Sequence, residues 1–252
     1  MPERPAATES DPNPPPLPAA GPNTPSRPAR SPFDRSLAEA LDPRDSIRLY
    51  GNADRRSYRG RDLTIFREGD PCERLYEVLA GRIRLSRTSQ DGRRQVVRYV
   101  TAGGLFDLVP VLDGAPHAVT ASTVEPTDVL RIPREDVLRV MGESTVAGGV
   151  IARMLAAQLR DTVGLVSDLA LYHVPARVAR ILLQEQMPHA GVGAGIPSAG
   201  ATRRELAENA GTSREVVGRL LRALEASGIV RTDGPHIRIL DVDRLRTVAE
   251  YR

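Results

Sequence analysis

The sequence has a single cysteine, no tryptophan and no lysine. One cysteine excludes an intramolecular disulfide framework, a zinc site built from several cysteines and a cysteine-ligated iron–sulfur cluster within one chain. No apolar run approaches the roughly 18 residues needed to span a bilayer, and the N-terminus lacks the hydrophobic core of a secretory signal. We therefore expect a cytoplasmic protein with no membrane partner.

Charge and composition leave the biochemical class open. All 35 basic residues are arginine, which together with abundant alanine, glycine and proline mostly reflects a GC-rich coding sequence. The net charge of +3 permits binding to nucleic acid without establishing it. The 252 residues, 40% of them hydrophobic, are enough for one or two globular domains.

The first 32 residues differ in composition from the rest of the chain. They contain 11 of the 21 prolines and almost no large apolar side chain. Burial therefore cannot offset the entropy lost on ordering. We predict a disordered, solvated tail over residues 1–32, with a proline-rich docking segment as the alternative.

Residues 60–135 alternate between turn signals and short strand-like runs. The turn signals, among them Asp91-Gly92 and Asp113-Gly114, recur eleven or twelve residues apart. An Asp-Gly pair between apolar runs favours a hairpin, so the region predicts a small antiparallel barrel or sandwich. The strand-like runs are Leu63–Phe66, Leu75–Leu79, Ile83–Leu85, Val96–Val100 and Val119–Val124.

Residues 144–171 predict one long helix, because apolar residues recur at spacings of three and four. This stripe either packs on the barrel or forms a coiled-coil-like dimer seam, and we favour the seam. Pro175 then ends the helix or marks a hinge. A short helix over 177–186 and a Gly- and Pro-rich linker over 188–201 follow. The predicted dimer interface residues are Ile151, Leu155, Leu159, Thr162, Val166 and Leu169.

Two predicted capping boxes stand ten residues apart. Thr202-Arg-Arg-Glu205 and Thr212-Ser-Arg-Glu215 can each satisfy free amides at the start of a helix. Ala207, Gly211 and Val217 supply a small residue where two helices cross, a glycine in the turn and an apolar core residue. This spacing predicts a helix-turn-helix DNA-binding unit.

The second helix of this unit has an apolar and a charged face. Val217 and three leucines face inward, whereas the outward arginines can bond guanine and a glutamate can accept from cytosine. The alternative is a solvated face with ordinary pairs such as Glu215 with Arg219. The capped first helix and the Gly211 turn favour DNA. The predicted DNA-contacting residues are Arg203, Thr212, Ser213, Arg214, Glu215, Gly218, Arg219, Arg222 and Arg231.

A β-hairpin is predicted after this helix. The runs 228–230 and 236–240 flank Thr232-Asp233-Gly234-Pro235, a turn-forming sequence. The hairpin makes the unit a winged variant, in which Arg231 or Arg238 contacts phosphates.

Together these motifs resemble the superfamily of the cyclic-AMP receptor protein and the fumarate–nitrate regulator, over residues 45–248. The resemblance is carried by Phe-Arg-Glu-Gly-Asp (66–70), Leu-Tyr-Glu-Val-Leu-Ala-Gly-Arg-Ile-Arg-Leu (75–85) and Ser-Arg-Glu-Val-Val-Gly-Arg (213–219). It implies an α+β fold in three parts. These are a cyclic-nucleotide-binding-like β-roll (33–142), a long dimerisation helix (143–172) and a winged helix-turn-helix (173–252).

The resemblance also implies a homodimer that binds double-stranded DNA and contacts RNA polymerase. Arg214 and Arg219 would contact guanines and Glu215 a cytosine of a palindrome with TGTGA-like half-sites. Val216 stands where the cyclic-AMP receptor has a threonine, which implies a slightly weaker polar contact.

The nucleotide contacts of the family are not matched. Where cyclic-nucleotide binders carry a Gly-Glu pair for the ribose, this chain has Asp107-Leu108, and in place of the phosphate-binding Pro-Arg-Ser/Ala it has Pro116-His117-Ala118. Thr162 keeps the position that meets adenine, but Val163 follows it where a serine is expected. These residues form the predicted effector pocket. Cyclic AMP is disfavoured as its ligand, and the effector is unidentified.

Two residues have open roles. His117 is compatible with a neutral buried residue, a weak phosphate donor, or a metal or haem ligand. Cys72 is compatible with an inert thiol or a redox sensor. We assign no metal site from the sequence.

Other functions are weighed against the DNA-binding regulator. An enzyme is disfavoured, because the sequence has no phosphate-binding loop, His-Glu-x-x-His, nucleophile elbow or paired metal motif. A cyclic-nucleotide sensor acting on a partner protein would share the β-roll but would not need a charged recognition helix. Within the superfamily, the alternatives are a cyclic-AMP-activated regulator and a haem- or redox-sensing member.

Overall fold

The computed structural model describes residues 37–185, 202–234 and 236–250. Two short helices, α1 (Leu37–Ala40) and α2 (Pro43–Tyr50), precede eight strands, and α3 (Leu108–Asp113) lies between the sixth and seventh. The predicted tail over 1–32 and the linker over 188–201 lie outside the described residues.

The eight strands form a β-roll of two four-stranded antiparallel sheets, which confirms the predicted antiparallel β domain. The sheets have the orders β1-β8-β3-β6 and β2-β7-β4-β5 and enclose one apolar cluster between them. The five predicted runs fall in β2, β3, β4, β5 and β7; the largely exposed β1, the two-residue β6 and β8 were not predicted. The strands are β1 (Asp54–Tyr58), β2 (Thr64–Phe66), β3 (Arg74–Ala80), β4 (Arg82–Thr88), β5 (Arg94–Thr101), β6 (Leu105–Phe106), β7 (Thr120–Thr123) and β8 (Thr127–Pro133).

The long helix α5 (Thr145–Leu171) packs one face of its first half on the roll. It follows α4 (Arg134–Glu143), and the Ser144 hydroxyl caps it by accepting a hydrogen bond from the Ala147 amide (3.2 Å). Ile151, predicted for the dimer seam, is instead 2% exposed in the core of its own chain, and Leu155 is partly buried against the same core. The buried residues of α5 are Ala147, Val150, Ile151, Met154 and Ala157.

A second face of α5 carries an exposed apolar stripe. Leu159, Val163 and Val166 are 64%, 56% and 59% exposed. With three exposed alanines they recur at alternating spacings of four and three, the heptad pattern of a coiled coil. The stripe of α5 consists of Ala152, Ala156, Leu159, Val163, Val166 and Ala170.

The C-terminal domain has its own apolar core. Pro175 lies in the first turn of its first helix, where a missing amide is tolerated. The helix therefore begins three residues earlier than predicted, and α5 already ends at Leu171. No helix among the described residues is long and apolar enough to cross a membrane. The elements are α6 (Val174–Glu185), α7 (Arg203–Ala210), α8 (Arg214–Ala226), β9 (Val230–Asp233), β10 (His236–Ile239) and α9 (Val242–Glu250).

The tight turn between β3 and β4 requires a glycine, and Gly81→Ala should destabilise the roll far more than Gly92→Ala. Both glycines are left-handed, with φ of 85° and 80°, so each alanine costs roughly 1–2 kcal/mol. A Cβ at position 81 would also lie 2.4 Å from the Pro126 carbonyl oxygen, whereas at position 92 it would meet nothing within 4 Å. We expect Gly81→Ala to lower the free energy of unfolding by at least about 2 kcal/mol more than Gly92→Ala, measured by urea denaturation. Equal losses would contradict this packing argument.

Candidate DNA-binding surface and effector cavity

The turn between α7 and α8 is held by caps at both helix ends. The Thr202 hydroxyl accepts a hydrogen bond from the Glu205 amide (3.2 Å), and the Glu205 carboxylate accepts one from the Thr202 amide (2.9 Å), which confirms the first capping box. Gly211 ends α7 in the left-handed region, with φ of 62°. These contacts fix the angle at which α8 leaves the turn.

The second predicted capping box is wrong by one residue. Ser213 caps α8, because its hydroxyl accepts a hydrogen bond from the Val216 amide (3.3 Å). The Thr212 amide donates instead to the Ala207 carbonyl (3.0 Å), so Thr212 belongs to the C-terminal cap of α7.

The faces of α8 are arranged as predicted. Val217 and Leu221 are fully buried and Leu224 nearly so, with Leu220 packed beside them. A hydrogen bond with the Ser213 hydroxyl lowers the pKa of Glu215, which keeps its carboxylate a charged acceptor. On the outward face Arg214, Glu215, Arg219 and Arg222 are exposed, whereas Thr212, Ser213 and Gly218 are half-buried.

The predicted wing is formed by β9 and β10 and extends the basic surface. Arg231 and Arg238 are exposed and lie directly opposite each other on the two strands. Like charges in this position are unfavourable unless an anion lies between them. The Glu225 carboxylate accepts a hydrogen bond from the Thr232 amide (2.8 Å) and so ties the wing to α8. Arg203, Arg204 and Arg214 line a shallow cleft between the wing and the helix-turn-helix.

A cavity of about 420 Å³ lies between the roll, the second half of α5 and the C-terminal domain. Four predicted effector-pocket residues, Asp107, Leu108, Ala118 and Thr162, line it; Pro116, His117 and Val163 do not. Val163 and His117 are absent from the lining for different reasons. Val163 belongs to the exposed stripe of α5, and His117 is buried and turned toward Asp107. Other residues of the cavity wall include Arg98, Leu165, Arg177, Ile181 and Asn209.

Arg98 brings a buried cation to the cavity wall. Its guanidinium donates a hydrogen bond to the Leu105 carbonyl (2.6 Å), and burial lowers its pKa to about 10. Arg82 instead lies over the ring of Tyr99, 5.8 Å from its centroid. The sequence names Arg82 and Arg98 as the arginines that would reach the phosphate if cyclic AMP bound. It does not decide between them, because alternation along a strand does not show which face borders a cavity. Of the two, Arg98 lines the cavity.

Cys72, Asp107 and His117 converge beside this cavity. The Asp107 Oδ2 atom lies 3.1 Å from the Cys72 Sγ atom and 2.5 Å from the His117 Nδ1 atom. Burial raises the pKa of Asp107, while burial and the Asp107 carboxylate raise the pKa of the Cys72 thiol to about 12. The free cysteine is thus a protonated donor at neutral pH, which argues against a reactive redox thiolate.

The first helix of the DNA-binding unit docks on the β2-β7-β4-β5 sheet. Asn209 donates a hydrogen bond to the Tyr99 hydroxyl (3.2 Å), and Glu205 forms an ion pair with Arg61 (2.7 Å). Glu208 lies 3.6 Å from the guanidinium groups of both Arg84 and Arg94. The sequence did not predict this interface, because polar residues on an amphipathic helix usually face solvent.

Two family models match the chain. The cyclic nucleotide-binding domain matches residues 56–144, and the Crp-like helix-turn-helix domain matches residues 176–248.

Known proteins of similar sequence are transcription regulators. The cyclic AMP receptor protein of Thermus thermophilus is 32% identical over 73% of this chain and 83% of its own. A CRP-like cAMP-activated global transcriptional regulator of Mycobacterium tuberculosis is 29% identical over 73% of this chain and 84% of its own. Among solved structures, the c-di-GMP responsive global regulator CLP of Xanthomonas campestris has a TM-score of 0.67 and 25% identity, covering 79% of this chain and 99% of the other.

Proposed function

The chain belongs to the CRP/FNR superfamily of transcription regulators, and from that premise we propose that it is a homodimer that binds a palindromic DNA site under the control of an effector other than cyclic AMP. The observation that carries the DNA-binding part is the exposure of Arg214, Glu215 and Arg219 on one face of a capped helix that follows a glycine turn. RNA polymerase is the expected second partner of the DNA-bound form.

Sequence discrimination is assigned to α8 and general affinity to the wing. Arginine can make two hydrogen bonds to the O6 and N7 atoms of guanine, and glutamate can accept one from cytosine N4. Arg214, Arg219 and Glu215 therefore suit a TGTGA-like half-site, with the inner GTGA the better supported part. Arg231 and Arg238 on the wing suit phosphates, which attract every sequence equally.

Arg219→Ala should weaken binding to the preferred site by roughly 1–3 kcal/mol and relax one base position of each half-site. Arg231→Ala should instead weaken binding to all sequences about equally and reduce the salt dependence. Selection from a random duplex library, followed by salt-dependent retardation, measures both effects. Arg246→Ala is the control, because this exposed arginine lies on α9, which packs against α6. An unrelated selected half-site, or none, would overturn the assigned base contacts.

The homodimer is proposed to form through the exposed stripe of α5. Exposing apolar side chains to water is unfavourable in free energy. When the stripes of two copies pack against each other as a coiled coil, the apolar side chains of both are buried. Two DNA-binding units held in this way meet half-sites about one helical turn apart. Leu159, Val163 and Val166 form the centre of the proposed seam, with Thr162 beside them.

The double substitution Leu159→Glu and Val166→Glu should yield monomers, because it places four carboxylates in the seam of the dimer. Sedimentation velocity measures the mass. The affinity for DNA should decrease when the dimer is lost. Arg153→Glu is a matched control: it changes the net charge by the same two units at an exposed position off the stripe. An intact dimer in the double variant would remove α5 as the interface.

The effector is proposed to occupy the 420 Å³ cavity. Cyclic AMP does not suit it, because Leu108 offers no carboxylate to the ribose hydroxyl, and His117, which is turned toward Asp107, does not reach the cavity where an arginine would pair with the phosphate. Each buried polar group left without its partner costs about 1–3 kcal/mol, so two losses weaken binding by about a thousandfold. The Xanthomonas campestris relative, described as responsive to c-di-GMP, supports a change of effector within this fold.

Titration calorimetry should show cyclic AMP binding weaker than about a millimolar, with DNA affinity unchanged by the nucleotide. A variant that combines Asp107→Gly, Leu108→Glu and His117→Arg restores the family residues and should gain measurable affinity. Micromolar binding to the unaltered protein, with tighter DNA binding as a result, would disprove the proposal.

A further inference from the structure

The cluster of Cys72, Asp107 and His117 has the composition of a metal site. Its thiol, carboxylate and imidazole come from three separate segments, and their ligand atoms all lie within 4.8 Å of one another. The segments of Cys72 and His117 are tied together by backbone hydrogen bonds: the Gly69 amide donates to the His117 carbonyl, and the His117 amide donates to the Asp70 carbonyl, both at 2.9 Å. The Asp107 carboxylate contacts the other two side chains directly.

His117 is fixed in this cluster. Its ring stacks on Phe66 with centroids 3.8 Å apart and is 4% exposed. Its Nδ1 atom is buried and lies 2.5 Å from the Asp107 Oδ2 atom, so two ligand atoms of different chemistry stand side by side. A neutral imidazole nitrogen and a carboxylate oxygen are both common metal ligands.

Asp107 supports the same interpretation through its backbone. Its φ of 72° lies in the left-handed region, which favours glycine. A residue held there points to a constraint that offsets the strain. Here the constraint brings the carboxylate to the thiol and the imidazole, and Asp107 also lines the cavity.

We propose that Cys72, Asp107 and His117 bind one divalent transition metal ion of the zinc or cobalt class, with a fourth coordination position open to the cavity. A thiolate and an imidazole favour such ions over calcium and magnesium, which prefer oxygen ligands. Tetrahedral coordination at ordinary bond lengths separates ligand atoms by about 3.5 Å. The Asp107 Oδ2 atom must therefore move away from the Cys72 Sγ and His117 Nδ1 atoms by about 1 Å or less. Three protein ligands with one open position is the arrangement of zinc sites that also bind a small molecule. The site does not depend on the proposed DNA function.

The test uses the full-length, untagged protein freed of metal with a chelator and titrated with Co²⁺ and then Zn²⁺. We expect one equivalent of Co²⁺ to produce a thiolate-to-cobalt charge-transfer absorption that Zn²⁺ abolishes. Zn²⁺ should also slow alkylation of Cys72, the only cysteine, and Mg²⁺ should not.

Variants separate this site from adventitious binding. Cys72→Ser should remove the charge-transfer band, and His117→Gln should weaken Co²⁺ binding by at least about a hundredfold. His173→Ala, at an exposed histidine after α5, is the matched control and should bind as the unaltered protein does. Absence of the band in the unaltered protein, or Co²⁺ binding unaffected by both substitutions, would overturn the proposal. If either variant fails to fold, the alkylation measurement on the unaltered protein decides alone: no protection by Zn²⁺ would refute the site.

Discussion

Burial of one face of α5 against the β-roll positions everything that follows it in the chain. The small and medium side chains of Ala147, Val150, Ile151 and Met154 let the helix approach the roll closely, and each larger one contributes about 1.5–3 kcal/mol on burial. This docking places the second half of the helix beside the residues of the roll that line the cavity. That half becomes one wall of the cavity, while its opposite side carries the exposed stripe of α5.

The contact between α7 and the roll couples the two domains. Asn209 both lines the cavity and bonds Tyr99, and Glu208 pairs with two arginines of the neighbouring sheet. The same α7 holds α8 through the Gly211 turn. A ligand that binds this arrangement of the two domains more tightly than an alternative arrangement therefore favours this placement of α8. The interface is polar and partly charged, so small displacements change its free energy substantially.

The cavity side of the roll has the family architecture, and its side chains are the basis of the proposal about the effector. The residue in the place of the phosphate-binding arginine, His117, stacks on Phe66 and faces Asp107 instead of the cavity. Arg98 of β5 and arginines of α5 and α6, among them Arg177, bring positive charge to the cavity wall. These positions support the proposal that the effector is not cyclic AMP, while the fold is that of the similar solved structures.

The sequence alone determined the local elements: the hairpins of the roll, the long helix, the capped α7, the two faces of α8 and the wing. These follow from patterns of neighbouring residues, such as Asp-Gly turns and three-four spacing, which act within a few residues. It could not determine which side of α5 is buried, because Ile151 and Leu159 are equally apolar and only the roll distinguishes them. Tertiary structure also decided that Glu208 meets the roll and that Cys72, Asp107 and His117 converge. Those contacts join residues 10 to more than 100 positions apart, and no local pattern records a distance that only packing creates.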